Sequence, residues 1–288
     1  MKCKRIISKL EIKGPNLVKG VNLEGMRVLG KPDEFSKLYY NENIDELYYQ
    51  DTVASLYGRN SLYNLIEKVS KDIFIPLCVG GGVKNLKDIY NLLKVGADKI
   101  SINKQALKKP NFVYEASQKF GKANICISIE AIKSENEYYC FFDNGRNFSN
   151  IKVLDWIKNI NQIGAGEICL TFVDGDGTGK GFDLDFINKI EKITNIPIVI
   201  HGGAGNKKQV LELFKKTKCD GVSISSLFHY NYMLQFNNDS DIKYSDEGNV
   251  DFLMSKTKSK KIESIKINNL KKFLTKQKIN CRLWKFQL

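Results

Sequence analysis

Two stretches of the chain close an apolar run with glycine: PLCVGGG (76–82) and PIVIHGGAGN (197–206), about 121 residues apart. A glycine turn lets backbone N–H groups approach an anion closely, and a helix starting there adds its positive end. The pattern predicts helices beginning near Asn85 and Asn206, which makes Gly81, Gly82, Gly202 and Gly203 candidate anion-binding positions. The next apolar run in each case ends in small polar residues: Ser101 and Asn103, then Ser223, Ser225 and Ser226. Their hydroxyls and amides could complete a phosphate cup. Tight strand-to-helix turns alone would explain one such run. Two in register, each followed by a small-polar strand end, favour a substrate with a phosphate at each end.

Carboxylates supply the second kind of chemistry. Glu11 and Glu130 end the apolar runs RIISKLEI (5–12) and ICISIEA (125–131). An acidic group at a hydrophobic strand end is costly unless solvated or paired. Two facing carboxylates in a cleft are general acid and base candidates, and a loop lysine such as Lys19 is the alternative ion-pair partner. Asp51, Asp174 and Asp176 lie just past two further strand ends, the last two in the glycine-rich stretch DGDGTGKG (174–181). That stretch lacks the downstream Glu that a calcium loop requires. Arg5, Glu46, Lys99 and Glu167 stand at or near the opposite ends of their strands, where they could form a charged ring around an axial passage.

These residues need a scaffold that brings strand ends together. Strands are predicted at 5–12, 45–51, 76–81, 99–103, 125–131, 167–173, 197–203 and 221–226, with helical patterns between them at 59–70, 85–95, 152–164, 184–193 and 206–217. Alternation without hairpin signals implies parallel pairing, and eight such units suit a closed (β/α)8 barrel, with an open doubly wound sheet as the alternative. A shift of 121 or 122 residues lays Glu46 on Glu167, Gly58 on Gly179, VGGGVKN (79–85) on HGGAGNK (201–207) and ADKISIN (97–103) on CDGVSIS (219–225). The barrel is therefore expected to be a pseudo-twofold pair of half-barrels within a single domain spanning 1–288. Residues 13–31, with five Gly or Pro hinges and no clear periodicity, have the character of a lid. Residues 230–261 are polar and are expected to be an insertion before a last helix at about 262–277.

Bulk properties narrow the function classes. The formal charge of +13 is concentrated in residues 255–288, which hold ten Lys and one Arg against one Glu. That distribution is expected of a solvated tail rather than a nucleic-acid site. No apolar run is long enough for a membrane span, and no secretory segment is evident, so a cytoplasmic location is expected. The seven cysteines are odd in number and include no C-x-x-C pair. They are expected to be reduced, and with only His201 and His229 available no metal site is expected.

The segments KRII, LEIK, LVKGV, VGGGVKN, GADKISIN, GAGEICLT, DGTGKGFDLD, IPIVIHGGAGN and SSLFH together resemble the cyclase subunit of imidazole glycerol phosphate synthase. The resemblance runs nearly collinearly over residues 1–230 and resumes in the last helix and INCRL (279–283). It implies a two-phosphate barrel with a glutaminase subunit docked at its bottom, as a heterodimer. Ammonia would pass through the barrel and join an open-chain bisphosphate nucleotide. The products would be imidazole glycerol phosphate and an aminoimidazole carboxamide ribotide, with no cofactor required. By the same resemblance Arg5, Glu46, Lys99 and Glu167 match the ammonia gate. Lys19, Asp51, Gly82, Asn103, Thr171, Asp176, Gly177, Gly203 and Ser226 match substrate-side positions. Glu11 and Glu130 match the catalytic positions, where the family carries aspartates. One extra methylene moves each carboxylate by roughly a bond length, and a misplacement of about 1 Å is costly. KGPN (13–16), His201 and the 230–261 stretch also depart from the family pattern. The double Asp-to-Glu change leaves an alternative role, in which a similar barrel supplies ammonia to a separate sugar amidotransferase in surface-polysaccharide synthesis.

Overall fold

Isoleucine, valine and cysteine dominate the short apolar runs, and the runs form strands whose two faces are both covered. The computed structural model describes residues 2–54, 62–236 and 261–283. In chain order the strands are β1 (Arg5–Lys13), β2 (Asn16–Val21), β3 (Glu24–Gly30), β4 (Glu46–Asp51), β5 (Leu77–Gly80), β6 (Lys99–Ile102), β7 (Ile125–Ser134), β8 (Glu137–Phe142), β9 (Asn147–Lys152), β10 (Glu167–Phe172), β11 (Ile198–His201) and β12 (Gly221–Ile224). Parallel pairing runs β1–β4–β5–β6–β7–β10–β11–β12, and β12 returns to β1 through the register Arg5 to Gly221. The sheet is closed, as the alternation of runs predicts, and the open alternative is excluded. Helices Leu86–Lys94, Pro110–Phe120, Val153–Ile163, Leu184–Glu191 and Lys207–Lys216 lie between successive strands.

Strand alternation sends one set of side chains outward against the helices and the other into the lumen. Outward residues such as Ile6, Leu10, Leu47, Ile100, Ile127 and Leu170 join the large core. Ile7, Tyr48, Cys78, Cys126, Cys169 and Val199 form a separate buried cluster inside the barrel. The cysteines are free, and all but Cys3 are buried. Among the described residues no helix is long and apolar enough to cross a membrane.

Hairpins are present where none was expected. β2 and β3 pair antiparallel within the 13–31 segment, turning at Asn22 and Leu23, which both have positive φ. β8 and β9 pair antiparallel after β7, and their connection includes Asp143, Asn144 and Gly145, all of positive φ. Asp-Asn-Gly is a recognisable hairpin turn, and it was readable in the sequence. A shift of 121 residues lays β2 on β8, so the hairpins follow the half-barrel repeat. Gly58 and the start of the predicted 59–70 helix lie outside the described residues; Tyr63–Ser70 is helical. The helix Ser226–Phe236 takes in the first residues of the 230–261 stretch, and residues 237–260 lie outside the description. The last helix is Ile267–Lys276.

Both glycine turns lead into capped helices. Asn85 and Asp88 form a capping box at one, and Asn206 and Gln209 form one at the other. The turns admit only glycine. At Gly81, φ is +108° and a β-carbon would stand 2.5 Å from the Asp51 carbonyl oxygen. At Gly203, φ is +126° and a β-carbon would stand 2.0 Å from the Gly181 carbonyl oxygen.

Candidate active site

The lumen is layered along its axis, because β1 turns Arg5, Ile7, Lys9 and Glu11 inward at every second position. At the bottom, Arg5 Nη1 lies 2.9 Å from Glu46 Oε2 and Arg5 Nη2 contacts Glu167. Lys99 Nζ lies 2.5 Å from Glu46 Oε1 and 2.6 Å from Glu167 Oε2. Two cations and two anions thus alternate in a closed four-membered ring, an arrangement that their positions at the strand starts left open. Burial works to lower the Arg5 and Lys99 pKa values, but the two glutamates override it and raise both. Burial raises Glu46. Beside the ring, Arg5, Glu46 and Lys99 help line a depression of about 690 Å³ that opens at the bottom of the barrel.

Above the ring sits the layer of Ile7, Tyr48 and three cysteines. Burial pushes the Cys169 thiol up to about 12, so it stays protonated at neutral pH. Lys9 and Tyr48 cross the axis next. Lys9 Nζ lies 5.3 Å above the Tyr48 ring and 3.5 Å from Thr171 Oγ1, and Tyr48 Oη is 2.5 Å from Ser101 Oγ. Neither residue was singled out from sequence. The two-residue period that carries Arg5 and Glu11 inward also carries Lys9, and it was the available signal.

The candidate residues at the mouth fall into two groups. The first surrounds a cavity of about 250 Å³ lined by Asp51, Gly81, Gly82, Asn103 and Glu130, with Ser101, Ser128, Lys104, Asp143 and Asn144. Asp51 Oδ1 accepts from the Val53 and Ala54 amides at 2.9 and 2.8 Å, which fixes the loop beside Gly81. Asn103 Nδ2 donates to the Phe141 carbonyl at 3.2 Å, while its buried Oδ1 has no partner. Glu130 Oε2 accepts from the Gly145 amide at 2.7 Å. The Glu130 carboxylate therefore ends on the turn of the second hairpin. Burial raises the Glu130 carboxyl to about 7, against the opposing pull of that amide and of the Lys9 charge.

The second group is closed over. Lys19, on β2, is fully buried and donates to both Glu11 oxygens at 2.9 and 2.8 Å and to Asp176 Oδ2 at 2.6 Å. The Asn22 amide and side chain hold the hairpin tip to the Asp176 and Val173 carbonyls, each at 2.9 Å. A β-carbon at Gly177 would come within 2.6 Å of the Gly20 carbonyl oxygen, so hairpin and loop are in close contact. Gly202, Gly203, Ser225 and Ser226 are all buried as well. The Ser225 hydroxyl donates to the Lys9 carbonyl at 2.8 Å.

Glu11 and Glu130 stand on β1 and β7, four strands apart in a ring of eight, as the repeat requires. Glu11 is not among the residues lining the cavity that Glu130 lines, and Lys19 covers it. The ion-pair alternative for Glu11 is therefore the one the structure adopts. Burial works to raise the Asp176 carboxyl, and the Lys19 ammonium overrides it and holds it well below the usual carboxylate range. His201 Nδ1 is 2.9 Å from the Ser223 carbonyl oxygen, and its Nε2 is 3.3 Å from Asp176 Oδ1. Burial first, then the Lys9 charge, lowers the His201 pKa. Glu11, Asp176 and His201 place ligand-capable atoms within 4.8 Å of one another.

The family described as "Histidine biosynthesis protein" matches the chain over residues 5–233. The chain is 39% identical over 231 residues to imidazole glycerol phosphate synthase subunit HisF of Bacillus cereus (strain Q1), which spans 80% of this chain and 92% of that protein. It is 41% identical over 229 residues to the subunit of the same name from Staphylococcus saprophyticus subsp. saprophyticus, which spans 78% and 90% respectively.

Proposed function

Because the chain belongs to the histidine biosynthesis protein family, we propose that it is a cyclase of the imidazole glycerol phosphate synthase type, joining ammonia to an open-chain bisphosphate nucleotide. The observation that carries this reading is Glu130: a carboxyl raised to about 7, lining the cavity that also contains the Gly81–Gly82 turn and Asn103. A group that titrates near neutrality gives and takes a proton with little penalty in either direction. One phosphate binds at Gly81, Gly82 and Asn103, against backbone N–H groups and the helix that starts beyond Asn85. The other binds at Gly202, Gly203, Ser225 and Ser226 once the β2–β3 hairpin lifts. Glu130 and Glu11 then serve as the acid–base pair. Lys19, Asp51, Thr171, Asp176 and Gly177 hold the substrate between the two ends.

Ammonia enters from the opposite end. The depression beside Arg5, Glu46 and Lys99 has the position and charge to receive a glutaminase subunit, and the ring including Glu167 gates the axis. Co-purification with a glutaminase, lost when the depression is blocked by Ala123→Arg, supports this partner; undiminished binding by that variant refutes the docking site.

The deciding experiment supplies the purified chain with ammonium salt and the open-chain bisphosphate substrate and follows substrate loss. Turnover supports the cyclase. Binding without turnover would refute it and direct attention to ammonia supply for a sugar amidotransferase. The names of the relatives give that alternative no support, and it rests on the two glutamates together with the intact charged ring.

A further inference from the structure

We propose that Glu11, Asp176 and His201 form a divalent-cation site of the zinc class, occupied by the Lys19 ammonium while the β2–β3 hairpin is closed. The inference does not depend on the cyclase reading.

The histidine carries the argument. Its Nδ1 faces the Ser223 carbonyl oxygen at 2.9 Å, and a carbonyl only accepts, so Nδ1 holds the proton. The neutral ring then presents a bare lone pair at Nε2. That atom is buried, has no hydrogen-bond partner, and points at Asp176 Oδ1 3.3 Å away. A lone pair and a carboxylate oxygen facing each other call for a cation between them, a proton on the ring or a metal ion, and burial together with the Lys9 charge disfavours the proton. An imidazole locked through its other nitrogen by a backbone carbonyl is also the arrangement in which histidine binds metals.

The two carboxylates converge on the same region. One oxygen of each and a ring nitrogen of His201 lie within 4.8 Å of one another. Lys19 Nζ, at 2.8 Å from Glu11 Oε2 and 2.6 Å from Asp176 Oδ2, marks where positive charge is accommodated. The ligands and the ammonium have different mountings. Glu11 and His201 lie on barrel strands, and Asp176 on the loop after β10. Lys19 arrives on a hairpin appended to the barrel. The positive charge is therefore on the removable part. Lifting the hairpin leaves two buried carboxylates and an imidazole lone pair, an uncompensated arrangement that a divalent cation satisfies. One nitrogen and two carboxylate donors, with water in a fourth position, suit zinc or cobalt; magnesium and calcium call for more oxygen ligands. Hairpin closure and metal binding exclude one another because both need the same point.

The test uses the full chain after chelator treatment, titrated with Co²⁺ by absorption and with Zn²⁺ by calorimetry, circular dichroism confirming the fold of each variant. One equivalent is expected, with a nitrogen–oxygen spectrum free of the intense thiolate band that the free cysteines would give. His201→Ala should weaken binding by at least the roughly 10–100-fold that even outer partners of metal ligands carry. Lys19→Met should tighten it, a gain that misfolding cannot imitate. The proposal is overturned by a lack of stoichiometric uptake in the wild type, by uptake confined to Lys19→Met, by a thiolate spectrum, or by an affinity unchanged in His201→Ala.

Discussion

Glu130 should make the fold less stable as the pH rises, and replacing it by glutamine should remove that dependence. The carboxyl titrates near 7 in the folded protein against 4.5 when unperturbed, chiefly because burial disfavours its charge. Below about pH 4 both states bind the proton and nothing is at stake. Between the two values the folded state holds a proton that the unfolded state has released, so stability falls as pH rises. Above the folded value the loss is complete. A difference of about two and a half units, at about 1.4 kcal/mol each, amounts to about 3 kcal/mol. Glutamine keeps an oxygen for the Gly145 amide and carries no charge. Urea denaturation of wild type and Glu130→Gln at about pH 5 and about pH 8 measures the difference. The variant should gain up to about 3 kcal/mol over wild type at the higher pH and very little at the lower. Equal pH dependence in the two proteins would refute the reasoning, and with it the claim that Glu130 is poised for proton transfer.

Other outcomes follow from the same geometry. Arg5→Met leaves Glu46 and Glu167 with only Lys99 between them and should cost about 3–5 kcal/mol in urea denaturation, as breaking a buried pair does. Gly203→Ala forces a β-carbon against the Gly181 carbonyl at positive φ, and its melting temperature should fall well below that of Gly121→Ala, where φ is also positive but nothing lies within 4 Å. Asn103→Ala should weaken binding of a phosphorylated ligand at the first cavity by roughly 10- to 150-fold, since hydrogen bonds to charged groups contribute about 1.5–3 kcal/mol; calorimetry would show it.

The barrel was legible, and the ring was one open reading, because both depend on short-range pattern. Runs of four to nine apolar residues specify buried parallel strands, and glycine followed by Asn85 or Asn206 specifies the turn and cap. The pairing of Arg5 with Glu167 needs only the knowledge that both start strands of one barrel. The hairpin of residues 16–30 was not legible, because Gly20, Gly25 and Gly30 interrupt its alternation and Asn22-Leu23 is a weak turn signal. The contact of Lys19 with Asp176 spans 157 residues and depends on that hairpin's fold, so no local signal marks it. His201 stands out in sequence only as a departure; its lone pair acquires meaning once Ser223 and Asp176 are placed beside it.

The closed sheet also sets the order in which the chain can assemble. Most neighbouring barrel strands are separated by one helix, but β12 meets β1 across 216 residues, from Arg5 to Gly221. The entropy of closing so long a loop exceeds that of a short one only modestly, since each doubling of length adds about 0.6 kcal/mol. The delay is kinetic: the seam has no partner until the strands on either side have grown to meet it. Pairing within each half-barrel spans far shorter stretches of chain and is expected to precede the seam. Closure sets Ser223 and Ser225 against Ile7 and Lys9 of β1, so that part of the barrel mouth depends on the strand contact of greatest sequence separation in the barrel.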